Sequence, residues 1–102
     1  MTEVDFDNLE GNAHLILYYL VKIFPELKEK NEIAQATGLH SNTIYNKLKF
    51  LHERKLAGKK QIGRQTYYFL KQDIKKIFDE WMKTPIGKIM IEEFENRLKT
   101  KN

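Results

Sequence analysis

The sequence predicts a mainly α-helical domain that carries one small β-hairpin, an α+β fold. Three observations lead there. Apolar residues recur at helical spacing in three separate stretches, around Ile44, Ile74 and Ile86. One run, Thr66-Tyr67-Tyr68-Phe69-Leu70, is aromatic and β-branched and follows a glycine turn, as the second strand of a hairpin does. The chain has 102 residues, 41% apolar and 31% charged, which suffices for one modest core but not for a second domain or a deep catalytic cleft.

The first element runs from Asn12 to Phe24. Its apolar residues, from Leu15 through Leu17 to Leu20, Val21, Ile23 and Phe24, go nearly all round a helix. A surface helix has a single apolar face, so this one should be covered on two sides, with a second subunit as one source of cover. Pro25 ends it, because proline cannot continue the hydrogen-bond ladder. After a polar stretch, Glu26 to Lys30, Asn31 reads as an N-cap and Glu32 suits the positive end of a helix dipole. The short helix Glu32 to Thr37 turns Ile33 and Ala34 inward, and Gly38 stops it in the left-handed conformation.

Ser41 reads as the N-cap of the next helix, Asn42 to about Arg54. Ile44, Leu48 and Leu51 form its buried face. A two-stranded hairpin follows: Leu56 to Gln61, a turn at Ile62-Gly63-Arg64-Gln65, and Thr66 to Leu70. Ile74, Ile77, Phe78, Trp81 and Met82 then mark an amphipathic helix with Asp73 near its start. That stripe is read as core or subunit interface rather than ligand pocket. Thr84-Pro85 reads as an N-cap followed by proline at the first helical position. The last helix has Ile86, Ile89, Met90, Phe94 and Leu98 on one face. The chain divides accordingly into an acidic segment (1–11), a helix-and-hairpin core (12–70) and C-terminal helices (71–102).

The distribution of charge narrows the function. Net charge is +4. Between Lys28 and Thr66 there are nine Lys or Arg against three Glu, a balance of +6, while the remainder carries nine bases and eleven acids, −2. Such a patch attracts phosphates, although a solvated lysine-rich surface would have the same composition. The chain has no cysteine, so disulfides and thiolate metal ligation are excluded. No apolar run reaches the ~18 residues of a membrane span. Met1 to Glu10 carries Glu3, Asp5, Asp7 and Glu10 and no base, the opposite of a secretory signal. The reading is a cytoplasmic, nucleoid-associated protein.

Ala34, Gly38 four residues on and Ile44 six further on have the spacing of a helix-turn-helix: a small residue where the helices approach, a glycine at the turn, and an apolar anchor beneath the second helix. From Asn31 to Leu70 the chain resembles the core of winged helix-turn-helix transcription regulators of the ArsR-like and MarR-like groups. Glu32-Ile33-Ala34-Gln35-Ala36-Thr37-Gly38-Leu39 resembles their second helix, Ser41 to Leu51 their recognition helix, and Gly63-Arg64-Gln65-Thr66-Tyr67-Tyr68 their wing. Where that family often has glycine before the first wing strand, this chain has Lys55. The thiolate motif of metal-sensing members is absent, and His14, His40 and His52 do not form a ligand spacing on one helix, so no cofactor is expected.

The resemblance implies a sequence-specific, double-stranded DNA-binding regulator acting as a homodimer through its first and C-terminal helices. Its recognition helix would enter the major groove, and its wing would lie on the minor groove or backbone. Ser41, Asn42, Thr43, Tyr45, Asn46 and Lys49 lie off the Ile44/Leu48/Leu51 face. Asn46 suits an adenine edge. Thr43 offers a methyl to thymine or a hydroxyl to phosphate. Lys47 and Lys49 suit phosphates. Arg64 suits a narrow minor groove, supported on the backbone by Lys59, Lys60 and Gln65. Asn42 and Thr43 equally fit helix-start chemistry, and Tyr45 equally fits packing beneath the hairpin. The competing expectation is a winged-helix protein-interaction module of a larger transcription or replication assembly, for which +6 in this region has no use. An enzyme is not expected: there is no Ser/His/Asp arrangement, no glycine-rich phosphate loop and no metal-ligand cluster.

Overall fold

The computed structural model describes Phe6, Leu9 and residues 11–99. Its elements are α1 (Gly11–Ile23), β1 (Lys28–Glu29), α2 (Lys30–Thr37), α3 (Ser41–Glu53), β2 (Ala57–Ile62), β3 (Gln65–Leu70), α4 (Gln72–Trp81) and α5 (Pro85–Lys99). Five helices and one antiparallel sheet, of strand order β1-β3-β2, make the architecture α+β. The acidic side chains Glu3, Asp5, Asp7 and Glu10 lie outside the described residues.

α1 is the central helix. Leu15, Ile16, Leu17 and Leu20 are fully buried, and Tyr18 and Val21 nearly so. The helix packs against α2, α3, α5 and β3. The two-sided cover that its all-round apolar character requires therefore comes from within the chain, not from a second subunit. Only Gly11 and Lys22 of α1 are exposed. Ile44, Leu48 and Leu51 of α3 are also fully buried, on the face read from their spacing. Each such side chain contributes about 1.5–3 kcal/mol of burial free energy.

α4 and α5 are held by an aromatic cluster. Phe6 meets Phe78 edge-on with ring centroids 5.1 Å apart, and His14 stacks on Trp81 at 5.4 Å with the rings 6° from parallel. The buried His14 also hydrogen-bonds through Nε2 with the Phe6 carbonyl. A polar link adds to this: the Tyr18 hydroxyl donates to Glu95 of α5, and Lys22 Nζ lies 3.3 Å from the same carboxylate. Burial, followed by the Glu95 hydrogen bond, pushes the Tyr18 hydroxyl up. The Tyr18 hydrogen bond, with Lys22 next, holds Glu95 below its usual 4.5 despite an opposing contribution from burial.

Several local readings change. The sheet has three strands instead of two, because Lys28 and Glu29 pair with Tyr68 and Tyr67. Two residues are too few for a periodic signal. Extended Glu29 (φ −76°, ψ 158°) is also the N-cap of α2, and its backbone N–H donates to Glu32 Oε1 at 3.0 Å. Asn31 therefore sits inside the helix. In α3 the N-cap is His40, whose Nδ1 accepts from the Asn42 N–H at 3.3 Å, so Ser41 is the first helical residue. Gly38 (φ 77°) ends α2 as expected, and Gly63 (φ 63°) takes the first position of the two-residue hairpin turn between paired Ile62 and Gln65.

Lys55 is left-handed, with φ 62°. Its N–H donates to the His52 carbonyl at 3.0 Å, and the Leu56 N–H donates to the Leu51 carbonyl at 2.9 Å. With Leu51 and Leu56 both buried, this is a Schellman closure of α3 that has lysine at the position glycine favours.

The last helix also differs. Thr84 caps it, accepting from the Gly87 N–H at 3.0 Å, and Pro85 is its first residue. Gly87, Met90, Ile91, Phe94 and Leu98 face inward, so Met90, Phe94 and Leu98 lie on the expected face while Ile86 and Ile89 do not. The reason is the approach of α5 to the end of α4. A Cβ on Gly87 would lie 2.0 Å from the Trp81 carbonyl oxygen, so only glycine fits, and that close approach draws the Gly87 side inward. Ile86 and Ile89 remain 50% and 69% exposed. Among the described residues, no helix is long and apolar enough to cross a membrane.

Lys55→Gly should relieve the left-handed penalty, offset in part by a freer unfolded chain, and raise stability by about 0.5–1 kcal/mol in denaturant unfolding; an unchanged or lower midpoint contradicts this account of the α3 terminus. Because Glu95 titrates below its unfolded value, the stability it adds is present above pH 4.5 and lost as pH falls through its folded value. Thermal melts of Glu95→Gln and the parent should therefore differ at neutral pH and converge in acid.

Candidate nucleic-acid interface

A helix with one buried face necessarily presents the opposite one. With Ile44, Leu48 and Leu51 turned to the core, Asn42, Tyr45, Asn46 and Lys49 form an exposed stripe along α3 at helical spacing. Ser41 is exposed at the start of the helix. Thr43 and Lys47 are half-buried and lie on its flank. The three residues Gly38–His40 join α2 to α3, and Gly38 donates to the Ala34 carbonyl at 2.8 Å.

The hairpin stands beside this stripe. Its register is continuous from Ala57 opposite Leu70 to Ile62 opposite Gln65. Side chains alternate along a strand, so Lys59 and Lys60 leave β2 on opposite faces. Lys59 borders a cleft shared with α3, together with Tyr45, Lys49, His52, Glu53 and Tyr68, of about 200 Å³. Arg64 and Gln65, at and just after the turn, border a second cleft of about 290 Å³ together with Tyr45, Tyr68, Glu29, Lys30 and Asn31. Lys60 borders neither cleft. The structure thus gathers Tyr45, Lys49, Lys59, Arg64 and Gln65 around two adjoining clefts. Asn42 and Asn46 lie beside them on the same stripe, and Thr43, Lys47 and Lys60 lie apart.

Tyr45 is 51% exposed, and Lys30 Nζ lies 5.6 Å from the centre of its ring, within cation–π range. Tyr68 is 9% exposed, and its hydroxyl is pushed up by burial and then by Tyr45. Lys30 is the residue the sequence reading passed over. It sits at the end of a stretch read as a connection, and its only signal was its share in the basic balance. β1 places it at the clefts by pairing with β3. Ile62, 52% exposed beside the turn, gives the hairpin tip an apolar element.

Among the described residues no group of three His, Asp or Glu side chains could hold a metal ion. The arrangement combines an exposed amide and hydroxyl stripe on a helix with cations from two other elements, groups that can hydrogen-bond base edges and attract phosphates. No protein-family model matches the chain, and no curated protein matches it.

Because the His40 side chain caps the helix that presents this stripe, His40→Ala should lower stability by about 0.5–1 kcal/mol, whereas His40→Asp should retain or exceed the parent value. Equal losses in both variants, read by chemical unfolding, would show that the cap does not hold the start of α3.

Proposed function

We propose that the protein is a winged helix-turn-helix transcription regulator that binds double-stranded DNA sequence-specifically. In this reading α2 and α3 are the helix-turn-helix, α3 is the recognition helix, and β2–β3 is the wing. The observation that carries it is the exposed stripe Asn42, Tyr45, Asn46 and Lys49 standing beside a basic hairpin, on a segment of +6 charge. A helix is the element a major groove admits, and an arginine at the tip of a narrow turn suits the minor groove.

The roles follow from position. Asn46 and Asn42 read base edges, with Asn46 suited to the bidentate pattern of adenine. Ser41 and Thr43, at the start of α3, meet phosphate or a thymine methyl. Lys47, Lys49, Lys59 and Lys60 neutralise backbone phosphates, which fixes register without specifying sequence. Arg64, supported by Gln65, meets the backbone at the edge of the minor groove.

The regulator acts as a homodimer on a pseudo-palindromic site, its two recognition helices about one helical turn of DNA apart. With α1 enclosed in its own chain, α5 offers exposed apolar side chains for pairing at Ile86 and Ile89. Function in the cytoplasm, on the nucleoid, follows from this role.

Selection of bound sequences from a random duplex pool, followed by affinity measurement over a range of salt, tests the reading. The expected result is a two-fold symmetric site and a log–log salt dependence with a negative slope. On that site Asn46→Ala should cost about 1–3 kcal/mol of discrimination at one base pair per half-site. No enriched sequence, or binding without a salt slope, would sink the DNA reading in favour of a protein-interaction module.

A further inference from the structure

The two clefts flanking Tyr45 have matching chemistry. The first is bordered by Lys30, Arg64 and Glu29, the second by Lys49, Lys59 and Glu53. Each holds two cations and one carboxylate, a balance of +1, with His52 also bordering the second. Tyr45 and Tyr68 border both, so a single aromatic wall separates them. The cations come from different elements: Lys30 from the start of α2, Arg64 from the hairpin turn, Lys49 from α3 and Lys59 from β2. The arrangement is therefore not a solvated stripe of lysines along one helix.

We propose that these clefts are two seats of one channel, each taking a single phosphodiester of the same DNA strand, with Tyr45 as the spacer between neighbouring phosphates. The inference rests on the DNA-binding reading and goes beyond it in two ways. It makes Lys30, outside both recognition helix and wing, a backbone contact. It also gives Tyr45 a role in register rather than in base reading.

Charge identifies the ligand class. A seat of net +1 matches the single charge of a phosphodiester, whereas a terminal phosphate or a polyphosphate brings more charge than either seat balances. Hydrogen-bond donors are at hand, with Gln65 and Thr66 at the first seat and Tyr45 at both. Lys30 Nζ lies 5.6 Å from the centre of the Tyr45 ring, a contact that orders the ammonium beside the first seat at a lower entropic cost than a free lysine. A strand running along the channel would pass between α3 and the hairpin, the course required of a backbone whose major groove takes the helix and whose minor groove takes the turn.

The test uses the full chain and a duplex containing the selected site, in which single phosphates are replaced one at a time by neutral methylphosphonates. The parent should be weakened by replacement at two neighbouring linkages of one strand in each half-site. Lys30→Gln should become insensitive to one of the two, and Lys59→Gln to the other. Lys30→Gln should also reduce the magnitude of the salt slope by about 0.9 per half-site and weaken all duplex sequences alike; Lys30→Arg should keep the parent slope. Circular dichroism melts show whether each variant is folded, and Lys30 is half-buried outside the hydrophobic core. A Lys30→Gln protein with the parent's slope and methylphosphonate pattern overturns the proposal, as do sensitive linkages on opposite strands. If the parent binds no duplex, the DNA-binding reading fails with it; if the parent binds and Lys30→Gln is silent, only the channel is wrong.

Discussion

The structure depends on the burial of α1. A small chain has room for one fully enclosed element, and here it is a helix whose apolar residues leave almost no polar side. Leu15, Ile16, Leu17 and Leu20 give α2, α3, β3 and α5 a common surface to pack on. Enclosing α1 within the chain also decides what the other elements must show to solvent. With its leucine and isoleucine face on α1, α3 has only the face with Asn42, Tyr45, Asn46 and Lys49 left to present.

Three polar or local devices then orient the elements around that hub. β1, two residues long, ties the start of α2 to the middle strand and brings Lys30 beside Tyr45. The left-handed Lys55 closes α3 and sends the chain directly into β2. The Tyr18–Glu95–Lys22 link and the cluster of Phe6, His14, Phe78 and Trp81 fasten the C-terminal helices to α1. The first two add little apolar burial, whereas the cluster also buries Phe6, Phe78 and Trp81. Their effect is directional, and direction is what assembles a surface from residues far apart in sequence.

The proposed interface shows the consequence. Its cations come from α2, α3, β2 and the hairpin turn, and its two clefts share the same pair of tyrosines. No one segment contains a motif for it. In α5, the close approach of Gly87 to the Trp81 carbonyl draws the Gly87 side inward and leaves Ile86 and Ile89 in solvent.

Much of this was legible in the residues alone. Periodicity marked α3, α4 and α5, because burying one face imposes a 3.6-residue repeat on a helix, while α1 showed in the length of its apolar run and α2 in the glycine that ends it. Gly38, Thr84 and Gly63 marked ends and a turn, since their local backbone chemistry has few alternatives. The buried triad of α3, and hence its exposed stripe, followed from the same repeat. Tertiary structure decided what spacing cannot encode. The second cover of α1 came from its own chain, because an all-round apolar helix specifies that it must be enclosed and not by what. The caps moved to Glu29 and His40 because strand pairing and chain direction, not residue preference, set where the helical backbone begins. Lys30 joined the candidate site through a two-residue strand too short to leave a pattern. Lys59 and Lys60, indistinguishable in sequence, were separated by the pleat of β2. The sequence by itself determined the five helices, the hairpin and most of what is buried; only the packing around α1 decided the short β1, the exposure of Ile86 and Ile89, and which exposed residues stand together.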